Sequence, residues 1–586
     1  MIDSQATDSN FSGGPDIGPD QKGKHFTTFP EIDLRPQNLR MQSMKLEFLS
    51  KWFAPLRDLS RFINPKRGFY EGFVPNWNAQ IDYKLIMSSD PQAYADTLAA
   101  GMMSGLSSRS QPWFKLGLGI PQLEENEDVK LWLSIVEKVL YKIFDDSNHY
   151  DAFQSAYKEL GIFSTCAFGI YEDSLNVARC RSFTIGEYFL ANDHTGRVNS
   201  FARSEWKTVD QIVNEFGWNN CSRLVQNAYK KGQRDIYMMV YYLTEPNDNM
   251  IPGRENYEGK PWRSTYWEAK SVSQKALKLS GFHEFPIMAA KWDVVTTADT
   301  YGIDGPGWVA RGDIKSLYRV MKDLYLAVAK VADPPVQLGS GVEGTASLIP
   351  GGMTRNSKDN PDCGVRAAYQ VNPDIGHTMQ LVQYLSQKIS SRFYADLFTQ
   401  MVQSDSKEMT AREVVEKQKD KLLLLGPVVS RVQKDLLGPA IQRTFMIAMR
   451  AGALPPPPQS IWGMPIAIRY IGLLAQAQQM ARTAAIEQGV KFVGDVVGVF
   501  PEAKDLVDID KAVTEYCDSL GADIVRSPEK VAQIRAQMQK AMQAQQQQAA
   551  MAQLAQTGKT MSDTPVGGGA SLLDHVLGTQ GQVGQQ

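Results

Sequence analysis

The chain has 586 residues, more than one hydrophobic core usually fills, so two to four sub-structures are expected. Hydrophobic residues make up 43% and charged residues 22%, which excludes disorder of the whole chain, and no apolar run reaches the roughly 18 to 20 residues that span a bilayer. The formal net charge of −2 excludes a polycation that coats nucleic acid, so any contact with DNA or RNA has to be local.

In chain order, residues 1–34 are expected to be a flexible arm: up to about residue 29 the sequence is rich in Gly, Ser, Asp and Pro without an apolar period. It lacks the basic start and apolar stretch of a secretion signal. From Pro36 to Ile63 the pattern is helical and stops at Asn64-Pro65. Asp90-Pro91 predicts an N-cap and first turn, and the helix it opens is lined by small residues (Ala95, Ala99, Gly101, Gly105) that suit close packing. Two more helices follow near 125–146 and 148–163; in the first, Val129, Trp132, Leu133, Val136 and Leu140 recur at helical spacing.

Between about 165 and 300, short runs rich in Tyr, Phe, Val and Ile read as strands: CAFGIYED, RSFTIGEYFLAND, RVNSFARSEW, DIYMMVYYLTE and STYWEAK. Two short helices interrupt them, one opened by a capping box at Thr208 and Gln211 and closed at Gly217, the other ending at Gly232. The fold class is therefore α+β, mainly helical. Residues 311–332 and 377–402 each carry an unbroken i, i+3, i+4, i+7 row, and they bracket a Gly-, Pro-, Asn- and Ser-rich stretch, 333–376. A second capping box, Thr410 to Glu413, opens a helical run to Arg450, with kinks expected at Gly426-Pro427 and Gly438-Pro439. After the stiff Pro455–Pro458 break, 466–488 and 528–556 read as mostly helical, and 557–586 as a disordered tail.

Signatures of catalysis are weak. Gly18 to Lys24 begins like a phosphate loop, but His25 stands where Ser or Thr must hold magnesium. Gly339, Gly341 and Gly344 match GxGxxG, yet Pro350 interrupts the helix a pyrophosphate site requires, so a loop tip is the reading and a nucleotide-binding enzyme the rival. The six histidines lie far apart, and five cysteines (Cys166, Cys180, Cys221, Cys363, Cys517) never form CxxC. They argue for a reducing compartment and against a disulfide frame or thiolate zinc site. No enzyme, metal or cofactor is expected.

The order of segments resembles the head-to-tail connecting proteins, or portals, of short-tailed bacteriophages. The likeness is carried by PWFKLGL (112–118), HYDAFQSAYKELGIFSTCAFGIY (149–171), RSFTIGEYFLANDHTGRV (181–198), Tyr301-Gly302, the helix from Ala310, Asp333-Pro-Pro-Val336, EMTAREVVEK (408–417) and a Gln/Ala-rich helical end. It spans roughly 35–550. The resemblance implies a ring, typically of twelve subunits, at one capsid vertex of a virion assembled in the bacterial host cytoplasm. Implied partners are double-stranded DNA without sequence specificity, a terminase motor, tail adaptor or nozzle proteins, and capsid and scaffolding proteins; no membrane is involved. A different internal or ejection protein of the virion is the nearer rival. The implied parts are a wing (35–309, with the kinked helix of 411–465), two stem helices (310–332 and 377–402), a clip (333–376), a tunnel loop (403–410) and a helical crown (466–556). Lys407, Arg412, Lys330, Lys388 and Arg392 are the candidates for facing DNA. For partner docking at the clip they are Val336, Leu338, Gly339, Gly341 and Gly344; for the subunit interface, Leu326, Tyr384 and Tyr394.

The residues suit a conduit. Each phosphate neutralised adds about one unit of salt-dependent slope to log affinity, so a strongly basic lining would hold the duplex instead of passing it. The stretch 404–421 has five basic and five acidic residues, and no Arg, Asn and Gln cluster suggests base reading.

Overall fold

The computed structural model describes residues 27–65, 86–124, 126–269, 275–342, 346–349, 352–355, 364–368, 373–404, 419–472, 474, 528–563, 565–566 and 570–571. The chain divides into two units, Met1–Ala481 and Arg482–Gln586. In the first, α1 (Arg35–Glu47) continues through a π-helical turn (Phe48–Trp52) into α2 (Phe53–Ile63). α3 (Asp90–Leu106) follows, then β1 (Phe114–Gly117), the short α4 (Pro121–Glu124), α5 (Glu127–Asp146) and α6 (His149–Phe163). The apolar row predicted for α5 is its buried face: Val129, Trp132, Leu133, Val136 and Leu140 all point into the core. Asp90 differs from expectation. It is the first helical residue and not the cap, and its carboxylate accepts a hydrogen bond from the Ser386 hydroxyl at 2.9 Å.

The strands build two antiparallel sheets. One has three strands in the order β3 (Val177–Phe183), β2 (Thr165–Asp173), β9 (Ile287–Lys291). The other has five in sequential order, β4 (Tyr188–Asn192), β5 (Val198–Thr208), β6 (Tyr237–Pro246), β7 (Trp262–Glu268) and β8 (Lys278–Phe282). The run 181–193, read as one strand, is thus two strands of different sheets, divided by a turn in which the Glu187 N–H donates to Thr184 O. α6 enters β2 through Ser164, whose left-handed φ of 62° reverses the chain in one residue.

Between β5 and β6, α7 (Val209–Phe216) and α8 (Arg223–Lys230) close a small second core around Ile212, Val213, Phe216, Trp218 and Val225. The capping box at Thr208 and Gln211 is formed in both directions.

α9 (Pro306–Ala332) and α10 (Ile375–Arg392) leave this body as an antiparallel pair, joined at the far end by a two-stranded ribbon of β10 (Val336–Leu338) and β11 (Val365–Ala367). The second helical span, 377–402, is not continuous. Tyr394 takes a left-handed φ of 53°, and α11 (Ala395–Ser404) starts in a new direction. That break seats Phe398 over Gly101 of α3, where an added Cβ would come within 2.1 Å of the ring. The long helix is described from Lys419: α12 (Lys419–Val432, with Pro427 inside), a π-helical turn (Gln433–Leu437) and α13 (Gly438–Arg450). The π turn falls where the second proline kink is expected, immediately before Gly438-Pro439. A further correction concerns 466–488: Ala467–Tyr470 is a strand, β12, paired antiparallel with β1. In the second unit α14 (Pro528–Asp563) is the helix expected over 528–556, extended by two turns.

Candidate functional site

The α9–α10 pair is anchored at one end and exposed at the other. Pro306 opens α9 at a position where its missing N–H costs nothing. Gly307 lies so close to the end of α6 that a Cβ would stand 2.4 Å from the Ile162 carbonyl oxygen. The first half of α9 buries Ala310, Ile314, Leu317 and Tyr318. Lys315 Nζ is 2.6 Å from the Asp58 carboxylate on α2, and the Tyr318 hydroxyl donates to the Phe62 carbonyl at 2.7 Å. Burial pushes the Tyr318 phenol well above its ordinary pKa, so it stays a neutral donor.

α10 is fixed in three ways. The Asp374 carboxylate caps it by accepting the His377 N–H at 3.0 Å, and that N–H, followed by the His377 side chain, holds the carboxyl below its usual pKa. Lys388 Nζ reaches Asp313 on α9 at 2.8 Å. Ser386, already bonded to Asp90, also meets the Tyr94 hydroxyl at 2.7 Å. Leu385 and Ile389 complete the buried seam.

Toward the ribbon large apolar side chains stand without cover. On α9, Tyr325, Leu326, Val328 and Val331 are 44 to 51% exposed; on α10, Met379, Leu381 and Tyr384 are 44 to 61% exposed. At the tip, β10 and β11 pair Val336 with Ala367, Gln337 with Arg366 and Leu338 with Val365, and the Gly339 N–H donates to Gly364 O at 2.9 Å. Past it, Leu348, Ile349 and Met353 stand 60, 72 and 92% exposed around a turn in which the Gly352 N–H donates to Ile349 O. Among the described residues no helix begins between Val342 and Ile375, so the GxGxxG glycines lack the helix terminus a pyrophosphate needs.

The two helices differ in charge. Arg311, Lys315, Arg319, Lys322 and Lys330 share one face of α9, three or four residues apart with Leu326 filling the gap. Lys315 is held by Asp58 and Arg311 lies 5.6 Å over the Trp308 ring, whereas Arg319, Lys322 and Lys330 are exposed. α10 has no carboxylate, and Gln380, Gln383, Gln387 and Ser391 form an exposed, uncharged hydrogen-bonding row.

The family model described as bacteriophage head to tail connecting protein matches residues 38–524. The chain belongs to this family. It is 34% identical over 534 residues to the portal protein of Salmonella phage epsilon15, covering 91% of this chain and 95% of the relative. It is also 34% identical over 527 residues to the probable portal protein of Bordetella phage BPP-1, covering 89% and 94%.

Within this connector-family chain the candidates fall into distinct settings. Lys330 and Arg392 are exposed, while Lys388 is engaged by Asp313. Lys407, Arg412 and Gly344 lie outside the described residues. Val336, Leu338, Gly339 and Gly341 all sit in or beside the ribbon, with Gly341 buried in its turn. Leu326 is 50% and Tyr384 61% exposed, as a side chain awaiting a partner surface would be. Tyr394 is half-buried with its ring 6.5 Å from Trp292, so its contacts run within the subunit. The residues that sequence reasoning passed over are Tyr325, Val328 and Val331, and above all Leu348, Ile349 and Met353. For Tyr325, Val328 and Val331 the sequence signal was the apolar row of the helix itself; Leu348, Ile349 and Met353 belong to no such row.

Proposed function

We propose that the chain is the portal subunit of a phage head, forming a closed ring, typically of twelve copies, at one capsid vertex. DNA passes through the ring during packaging and ejection, while the terminase motor and then the tail adaptor dock on it, with capsid and scaffolding proteins around it. In this reading α9 and α10 are the stem, residues 333–376 the clip, 403–410 the tunnel loop, the body about 35–309 with the kinked helix the wing, and 466–556 the crown. Its role is structural; hydrolysis of ATP belongs to the motor.

One observation carries the reading: a helix pair rigidly anchored at its base exposes a belt of seven large apolar side chains over its outer half. Large apolar side chains left this exposed mark a protein interface. A repeated heterologous contact around a closing axis covers them in every copy. The uncovered Leu348, Ile349 and Met353 at the tip then serve the docking partners. The uncharged amide row of α10 suits a wall past which phosphates slide, because neutral groups release no counterions on contact.

Negative-stain microscopy and sedimentation of the purified chain test this. Annular particles are expected. Leu326→Glu with Tyr384→Glu removes roughly 1–2 kcal/mol of burial at each interface and adds buried charge, so the rings should fall to small oligomers. Wild-type chains that remain single particles would refute the proposal.

A further inference from the structure

A strand at the edge of a sheet offers unpaired N–H and C=O groups, and any second chain can supply the matching ones. Three edge strands of the body have such groups taken by side chains. On β1 the Tyr141 hydroxyl accepts the Trp113 and Phe114 N–H groups, both at 2.9 Å, and donates to Phe114 O at 2.8 Å. Glu137 and Glu124 accept the Leu116 and Leu118 N–H groups at 2.6 and 2.7 Å. On β4 the Tyr301 hydroxyl accepts the Leu190 N–H at 3.2 Å and donates to Tyr188 O at 3.3 Å. On β3 the Asn148 amide does both: it donates to Cys180 O and accepts the Cys180 N–H, each at 2.8 Å.

β1 and β4 are sunk in the body, with none of their residues exposed, whereas Arg179, Arg181 and Ser182 of β3 stand in solvent. β3 is therefore the edge that another chain can reach. Two features set Asn148 apart from a polar group that merely finds partners. Asparagine in the position before a helix usually caps it, yet Asn148 stands there ahead of α6 and makes no side-chain cap bond. Its amide is spent on β3 instead. It also presents one donor and one acceptor to the same residue, which is what an antiparallel neighbouring strand presents. The amide stands where a fourth strand would pair.

We propose that Asn148 is an edge guard: it keeps β3 of a second copy from adding to the three-stranded sheet, so that copies associate through other faces and not by strand pairing. The excluded occupant is a copy of this chain because strand addition asks only for backbone groups, and any oligomer holds its copies at high local concentration. The inference does not depend on a ring. The alternation along β3 shows where else this edge can be blocked. Cys180 turns its N–H and C=O outward to Asn148, so Ser182, two residues on, does the same, while Arg179 and Arg181 bond to Tyr171 and Gly169 of β2. Proline at 182 removes an outward donor and leaves the β2 ladder intact.

The test is the mass of full-length particles by light scattering at rising concentration, read together with the infrared amide signal of intermolecular strands. Asn148→Ala should give particles of twice the wild-type mass or more, with a gain in that signal, as two copies of β3 pair across a two-fold axis. Adding Ser182→Pro to Asn148→Ala should return the mass to wild type, because proline blocks the edge without restoring either hydrogen bond. Asn148→Ala particles that keep the wild-type mass at every concentration would overturn the proposal and leave Asn148 a structural tie. So would a double variant that still associates, since the lost bonds and not the open edge would then be the cause. If Asn148→Ala is recovered only as insoluble protein, the double variant decides: soluble particles of wild-type mass support the guard, and insoluble ones overturn it.

Discussion

Acidification should loosen the body at one identifiable residue. His149 opens α6 with no exposed surface, its imidazole between the Ser147 hydroxyl and the Thr444 hydroxyl of α13, 3.2 Å from Nε2. Phe144 and Phe153 flank it with ring centres 4.7 and 6.3 Å away, and among the described residues no carboxylate pairs with it. Burial lowers its pKa from 6.5 to about 3, so the fold holds the neutral form and the unfolded chain takes up the proton first. Stability from this site is complete above pH 6.5 and is lost as pH falls toward 3. At pH 5 the loss is about 2 kcal/mol, from 1.36 kcal/mol per pKa unit. The measurement is denaturant unfolding at pH 8 and pH 5, wild type against His149→Gln, whose amide can still reach Thr444. The variant should have a pH dependence shallower by about 2 kcal/mol over that interval. Parallel pH profiles would show that the buried imidazole is not what acid attacks.

Two further outcomes follow from packing. Gly101→Leu drives a side chain into the Phe398 ring, so the α3–α11 contact should open, with a cost of roughly 1–3 kcal/mol visible as a lower melting temperature; an unchanged melting temperature would mean that the ring swings aside freely. Arg443, 2% exposed, donates to the Ile170 carbonyl at 2.8 Å and the Glu284 carbonyl at 2.9 Å and pairs with the Glu284 carboxylate. Arg443→Met should cost about 3–5 kcal/mol and expose the β2–α13 seam to proteolysis, while wild-type resistance to both denaturant and protease would argue against that seam's dependence on it.

Much of this molecule was written locally. The capping box at Thr208 and the buried row of α5 each depend on residues a few positions apart, and each formed as read, whereas α9 starts at Pro306, ahead of the expected 310. Local rules could also show that the outer halves of α9 and α10 had apolar faces, but not that the body stops short of covering them. That became visible only when the base of the pair was seen to dock on α2 and α3.

The failures share one cause: the deciding partner was distant in sequence. Ala467–Tyr470 is a strand only because Phe114–Gly117 offers an edge; by itself the segment has no hydrogen-bonding reason to extend. Residues 377–402 have an unbroken helical period, yet the chain turns at Tyr394 so that Phe398 can fill the space left by Gly101, nearly three hundred residues earlier. Periodicity and capping set which segments coil, because those energies are local. Which surfaces are covered, which strands find an edge and where a helix must break are set by contacts that exist only once the chain has folded.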